Sequence, residues 1–137
     1  MTKNEWESQV KQHIANARML ERDNKINEAI DAYEAAYELI PEPKETSKLT
    51  MIVLCNIGEI HFLQGQWDLA LEEYTDAVKC KEGLGNPKIH MRLGQLQYEI
   101  GNIERAKDEL MRAYMGEGDT YFVDEDPKYF SIIQEFL

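Results

Sequence analysis

The chain has 137 residues, 43% hydrophobic and 30% charged, and a formal net charge of −11 from 26 acidic and 15 basic side chains. This length is typical of one domain with a continuous core, so we expect a single domain over residues 1–137. The acidity argues against nucleic acid as a partner, and no apolar run approaches the roughly 18–20 residues that a membrane span needs.

Capping residues and chain breakers predict seven helices. Thr2 and Glu5 have the spacing of a capping box, so the first helix should begin near residue 4. Pro41 and Pro43 interrupt the chain after the second helix. Asn86 before Pro87 has the residue types of an N-cap and a first helical position. The predicted helices cover residues 4–22, 26–40, 47–64, 67–80, 87–100, 103–115 and 127–137.

The C-terminal segment, residues 119–137, differs from the rest of the chain. We expect an extended stretch over residues 120–123 and then a helix over 127–137 with most of its apolar residues on one face. We interpret this helix as a cap on the last repeat. The alternatives are that it folds back into the concave groove or that it meets another chain. We therefore expect a monomer or a weak homodimer through this helix. The dimer would use Tyr129, Phe130, Ile133 and Phe136.

One pattern recurs three times in the six helices before this segment. A small, a bulky and a small residue follow one another at positions 0, +4 and +7, which lie on one helix face. Another small residue precedes each trio by twelve positions, so each unit is a pair of closely approaching helices that must stack on its neighbours. The trios are Ala29–Tyr33–Ala36, Ala70–Tyr74–Ala77 and Ala106–Leu110–Ala113, preceded by Ala17, Gly58 and Gly94.

This pattern resembles the tetratricopeptide repeat. Ala29 and Ala70 lie 41 residues apart and Ala70 and Ala106 lie 36 apart, against a family period of roughly 34. The signature tryptophan is missing, and His61 and Gln97 stand where the family has tyrosine. The resemblance implies an all-α, right-handed α-solenoid of three helix hairpins plus a C-terminal capping helix. The repeats would cover about residues 8–41, 47–82 and 87–118.

In such a solenoid the first helix of each hairpin lines a concave groove. Seven side chains at inner positions of these helices are our candidates for partner binding. The charged ones would orient a peptide, while the two aromatic ones would supply apolar contact. The candidates are Lys11, Arg18, Asn56, Phe62, Lys88, Arg92 and Tyr98.

Three of these residues resemble the two-carboxylate clamp of chaperone-binding tetratricopeptide domains, which grip the C-terminal carboxylate of heat-shock chaperones. Asn56, Lys88 and Arg92 match the clamp positions. Ile14 and Arg18 stand where the clamp has lysine and asparagine. Cations and an amide together satisfy a carboxylate well.

Two alternatives to this clamp stay open. Exposed cations are commonly solvated or paired with neighbouring acids such as Glu59 and Glu99. The tail acids between residues 124 and 126 could also reach into the groove.

The sequence contains no phosphate-binding loop, nucleophile elbow or metal-ligand spacing, and we expect no enzyme activity, no cofactor and no metal ion. The start of the chain lacks a secretory signal, and we interpret Cys55 and Cys80 as reduced thiols of a cytoplasmic protein. The favoured function is a non-enzymatic module that binds a partner protein or peptide in the groove. The alternative is an immunity or antitoxin-type inhibitor whose acidic surface neutralises a basic toxin enzyme.

Overall fold

The computed structural model describes residues 1–137 and is built of helices, without a β-strand. The predicted all-α solenoid is confirmed. Helix boundaries lie within about two residues of the expected ones, except at the C-terminus. The α-helices are α1 Lys3–Arg22, α2 Ile26–Leu39, α3 Lys48–Leu63, α4 Trp67–Val78, α5 Pro87–Glu99, α6 Ile103–Glu117 and α7 Pro127–Ser131. Two short 3-10 helices, Lys44–Thr46 and Gln134–Phe136, complete the list.

Side-chain caps mark the start of the first helix of each hairpin, whereas α2, α4 and α6 begin without one. The capping box at Thr2 is present: the Glu5 amide donates to the Thr2 hydroxyl at 3.3 Å, and the Thr2 amide donates to the Glu5 carboxylate at 3.2 Å. Asn86 accepts hydrogen bonds from the backbone at Lys88 and Ile89 at the start of α5. These bonds satisfy N–H groups that have no partner inside the helix.

Each hairpin is held together where a small residue faces a bulky one. A Cβ atom on Gly94 would lie 2.5 Å from Cγ of Leu110, and one on Gly58 would lie 2.8 Å from Cε2 of Tyr74. No real Cβ contact is this short, so only glycine permits the observed approach of α5 to α6 and of α3 to α4. Ala17 has this place in the first hairpin, where it is fully buried.

The hairpins stack through a core that continues from one to the next. A first cluster joins α1, α2 and α3, and includes Tyr33 and Val53. A second joins α3, α4 and α5 around Tyr74 and Leu96. A third joins α5 and α6 to the C-terminal segment. Each hairpin therefore buries its apolar face only with the help of its neighbour.

The C-terminal segment differs from the expectation in two ways. Residues 120–123 form turns, because the carbonyl of Asp119 accepts hydrogen bonds from the amides of Phe122 and Val123. The expected helix over 127–137 ends at Ser131, and a 3-10 turn follows. The helix ends next to Ile133, which is completely buried against the last hairpin, so tertiary packing accompanies the change of backbone there.

This segment packs against the last hairpin. Phe122, Tyr129 and Ile133 are buried with Met91 of α5 and Leu110 of α6. The same burial removes most of the surface on which the predicted homodimer depends, because Phe136 is its one exposed member. No helix has the length and apolar content that crossing a bilayer requires.

Candidate binding groove

The first helices of the three hairpins, α1, α3 and α5, share one face, which we call the inner face. Three cavities follow one another along it. The central pocket, about 270 Å³, lies between α1, α3 and α5. The lysine pocket, about 420 Å³, adjoins it and shares Ile52. The C-terminal pocket, about 220 Å³, shares Lys88 with the central pocket.

Three of the predicted residues meet at the central pocket, each from a different hairpin. Arg18 comes from α1, Asn56 from α3 and Lys88 from α5. The Asn56 amide nitrogen donates to the carbonyl of Ile52 at 2.7 Å, and its oxygen lies 3.2 Å from the hydroxyl of Tyr33. The hydrogen bond to Ile52 holds the amide in place and leaves it one hydrogen for a ligand, while the Tyr33 hydroxyl donates chiefly to Glu21 at 2.6 Å.

Arg92 has a different environment from the other cations. Its guanidinium donates two hydrogen bonds to Glu59, at 2.8 and 3.0 Å, one to the Gln95 side chain at 2.6 Å and one to Glu125. These bonds use four of its five N–H groups. The guanidinium also lies over the ring of Phe62, with Cζ of Arg92 4.2 Å from the ring centroid. Arg92 therefore joins α3, α5 and the C-terminal segment, and only one N–H remains for a partner.

Arg92 and Glu59 each stabilise the charged form of the other. Burial alone would lower the pKa of Arg92, but the hydrogen bonds and charges of Glu59 and Glu125 raise it above its ordinary value. Burial alone would raise the pKa of Glu59, yet hydrogen bonding to Arg92 holds it below its ordinary value. The pair is therefore ionised at neutral pH.

The C-terminal segment covers the α5 end of the inner face. The Tyr129 hydroxyl donates to Glu99 at 2.6 Å, and Lys128 lies 2.8 Å from the same carboxylate. The ring of Tyr98 packs against Tyr129, with centroids 5.3 Å apart. Among the tail acids, Glu125 reaches an inner-face cation, Asp126 caps α7 and Asp124 is exposed.

Both predicted aromatic contacts therefore already have partners within the chain. Phe62 lies between the Arg92 guanidinium and Trp67, and Tyr98 packs under the C-terminal segment. Lys11 lies away from the other candidates, in the lysine pocket. The part of the inner face that remains accessible is centred on Arg18 and Lys88.

Sequence reasoning missed the residues around Lys11. Lys3 and Trp6 precede it on α1, Lys48 begins α3, and Lys81 follows α4. No periodic spacing connects these positions, because the chain brings them together through the connections after α2 and α4. The sequence does carry one signal for this cluster, because residues 44–48 and residues 79–81 each contain two lysines.

The thiol in the central pocket has little nucleophilic character. Burial raises the pKa of Cys55 to about 12, so the thiol is protonated at neutral pH. Cys55 and Cys80 are both free. Nδ1 of His61 lies 2.7 Å from the Glu73 carboxylate, and Nδ1 of His90 lies 2.6 Å from that of Glu109, so each pair joins the two helices of one hairpin.

Comparisons with known proteins agree with this architecture. Two family models described as tetratricopeptide repeat match residues 12–83 and 87–115. A comparison with curated proteins found no match. Among solved structures, BtubC (BKLC) from P. vanneervenii is similar with a TM-score of 0.70 and 18% identity, over 92% of this chain and 54% of that chain. This chain thus spans about half the length of BtubC.

A second similar structure has nearly the same length. SycD, the type III secretion translocator chaperone of Yersinia enterocolitica, has a TM-score of 0.65 and 16% identity, over 94% of this chain and 90% of that chain. At such low sequence identity, the structural similarity to these two proteins shows a shared fold and nothing more. Because the first family model alone matches more than half of the residues, the chain belongs to the tetratricopeptide repeat family.

Proposed function

We propose that the chain is a non-enzymatic protein-interaction module that binds a segment of a partner protein along its inner face. Its repeats and fold support a role in protein–protein interaction. The observation that carries the proposal is the central pocket, where Arg18 and Lys88 face one cavity without an acidic partner within 4.0 Å. The carboxylate that lines the same pocket, Glu59, is bonded to Arg92. Arg18 and Lys88 are therefore two cations without an ion-pair partner of their own, and they are suited to an anionic group of a ligand.

The chemistry of the central pocket favours a carboxylate. Arg18 and Lys88 supply charged donors, and Asn56 supplies one amide hydrogen between them. Ile52, which is half-buried and also lines this pocket, adds an apolar surface that would contact the neighbouring side chains of a peptide. The similar structure SycD is a chaperone, which agrees with binding of another polypeptide. The partner is thus a protein segment with a terminal or side-chain carboxylate.

The test removes both free cations and keeps the fold. Arg18→Ala with Lys88→Ala should reduce the partner recovered from the producing cells at least about tenfold, because two charge-assisted contacts are lost. Lys25→Ala with Arg105→Ala removes the same charge from exposed positions outside the cavities and should recover the partner fully. Arg92 is left unchanged, since it supports the fold. Undiminished recovery by the first variant, with unchanged thermal stability, would refute the proposal.

A second candidate function follows from the outer helices. α2 and α4 carry eight acidic residues and no lysine or arginine, and seven of these acids are exposed. Such a surface would attract a strongly basic protein, as an inhibitor of a basic toxin enzyme must. The acids of α2 are Glu28, Asp31, Glu34 and Glu38, and those of α4 are Asp68, Glu72, Glu73 and Asp76.

Neutral variants of this surface separate the two candidates. Replacing Asp31, Glu34, Glu72 and Asp76 by their amides should leave partner recovery unchanged if the inner face binds. A loss of recovery, together with an association rate that falls steeply with salt in the parent protein, would favour the inhibitor.

A further inference from the structure

The lysine pocket concentrates positive charge on an acidic chain. Four of the chain's ten lysines line it, against one glutamate, so its lining has a formal charge of +3 while the whole chain has −11. We infer that this pocket binds an acidic peptide segment that also carries a bulky apolar side chain. The inference rests on the proposed function and names the class of sequence that the inner face would select.

Two of the four lysines are available to a ligand. Lys11 and Lys81 have no acidic group within 4.0 Å. Lys3 lies 4.0 Å from Glu7, and Lys48 lies 3.5 Å from Glu82. Both lysines and Glu82 are exposed and Glu7 is half-buried, and ion pairs at such a surface contribute little and exchange readily. An incoming carboxylate therefore meets positive charge that the chain itself has not neutralised.

The pocket also has an apolar side. Trp6 of α1 and Leu49 and Ile52 of α3 line it, and all three are partly buried against the first core cluster. An exposed cluster of simple cations would suit any anion, but this apolar wall adds a preference for a side chain such as leucine.

Continuity with the central pocket favours a peptide over a nucleic acid. Ile52 lines both cavities, so a chain bound near Arg18 would extend over Ile52 into the lysine pocket. The acids of the outer helices would repel a long polyanion, whereas a short acidic segment meets only the local positive charge. The ligand is therefore an extended acidic segment of the same partner.

Trp6 provides a direct reporter. The chain has two tryptophans, and Trp67→Phe leaves Trp6 alone while keeping an aromatic ring beside Phe62. The probe is the peptide acetyl-Glu-Glu-Leu-Glu-Glu-amide, titrated at low ionic strength while the fluorescence of Trp6 is followed. The control probe has glutamine in place of each glutamate. A second arm titrates inorganic phosphate and a short single-stranded oligonucleotide.

We expect the acidic peptide to shift Trp6 fluorescence and the glutamine peptide to bind at least about fivefold more weakly. Lys11→Ala with Lys81→Ala should weaken binding of the acidic peptide by a similar factor. Lys25→Ala with Lys79→Ala, neither of which lines the pocket, should not.

Three results would overturn the inference: no fluorescence change up to about 1 mM peptide, equal binding of the two peptides, or equal binding by the Lys11/Lys81 variant. A response to phosphate or the oligonucleotide alone would also overturn it, since the site would then be a phosphate site. The proposed function fails separately, through undiminished partner recovery by the Arg18/Lys88 variant.

Discussion

The carboxylate of Glu59 on α3 receives two hydrogen bonds from the guanidinium of Arg92 on α5, at 2.8 and 3.0 Å. This planar, two-point contact crosses from the second hairpin to the third. The same guanidinium also donates to Glu125, so it connects the third hairpin to the C-terminal segment. The α5 end of the inner face is therefore closed by the chain itself, and the open part begins at the central pocket.

The Glu125 contact should hold the C-terminal segment in place. Glu125→Gln removes the negative charge that bonds to Arg92 and Gln95. We expect a loss of about 1–2 kcal/mol in the free energy of unfolding, because a half-buried charged donor loses an ionised partner. Faster amide hydrogen exchange over residues 119–137 should accompany it. Asp124→Asn makes the same charge change at an exposed neighbour and should alter neither measurement.

The Glu59–Arg92 pair predicts a loss of stability in acid. The pKa of Glu59 lies below its ordinary 4.5 in the folded protein. A carboxyl group with a lowered folded pKa stabilises the fold above pH 4.5, and this contribution is lost as the pH falls through the folded pKa. The free energy of unfolding, measured by urea denaturation across this range, should fall less steeply for Glu59→Gln, by at most about 1.4 kcal/mol per pH unit. Parallel profiles of parent and variant would contradict the assignment.

The close approach of α5 to α6 should make any side chain at Gly94 destabilising. Gly94→Ala gains about 1 kcal/mol of helix propensity but forces a Cβ atom against Leu110, and we expect a net loss of about 1–2 kcal/mol. In a Leu110→Ala background the same change should cost clearly less, because the crowded side chain is gone and only the backbone nitrogen of Leu110, 3.1 Å from the added Cβ atom, stays close. A double-mutant cycle by urea denaturation measures this coupling. Equal effects of Gly94→Ala in both backgrounds would show that the contact does not control the packing.

The thiol in the central pocket should react slowly. Burial raises the pKa of Cys55 from an ordinary 9.0 to about 12, which lowers its thiolate fraction about a thousandfold at neutral pH. Greater intrinsic nucleophilicity offsets part of this, so alkylation by iodoacetamide should be about 30- to 60-fold slower than in the unfolded chain. A Cys80→Ser variant isolates the Cys55 rate, with the same variant in urea as reference. Comparable rates in the two states would disprove the burial.

The three hairpins could be predicted from sequence because their contacts are local and periodic. Ala70 and Tyr74 share a helix face, and Gly58 lies on the helix just before it, so spacing alone indicates their packing. Inner positions such as Arg18 and Lys88 followed from the family resemblance. The sequence left open that a tail acid reaches into the groove, but neither periodicity nor resemblance could show that Glu125, 33 residues beyond Arg92, would be the one bonded to that arginine.

The C-terminal helix begins at Pro127 as predicted, and only its end was placed too late, for a related reason. Its apolar residues have helical spacing, yet complete burial of Ile133 against the last hairpin overrides that local pattern. The lysine pocket escaped prediction because Lys48, at the start of α3, and Lys81, after α4, are far apart in the sequence. Contacts of this kind depend on tertiary structure, which spacing does not encode.

The most direct test of the inner face as the binding surface is site-specific photocrosslinking in the producing cells. A photoreactive amino acid is placed singly at two exposed inner positions, Lys11 and Lys88, and at two exposed outer positions, Asp31 and Asp76. The account predicts covalent adducts with a partner protein from the inner positions only. Adducts from Asp31 or Asp76, with none from Lys11 and Lys88, would contradict it.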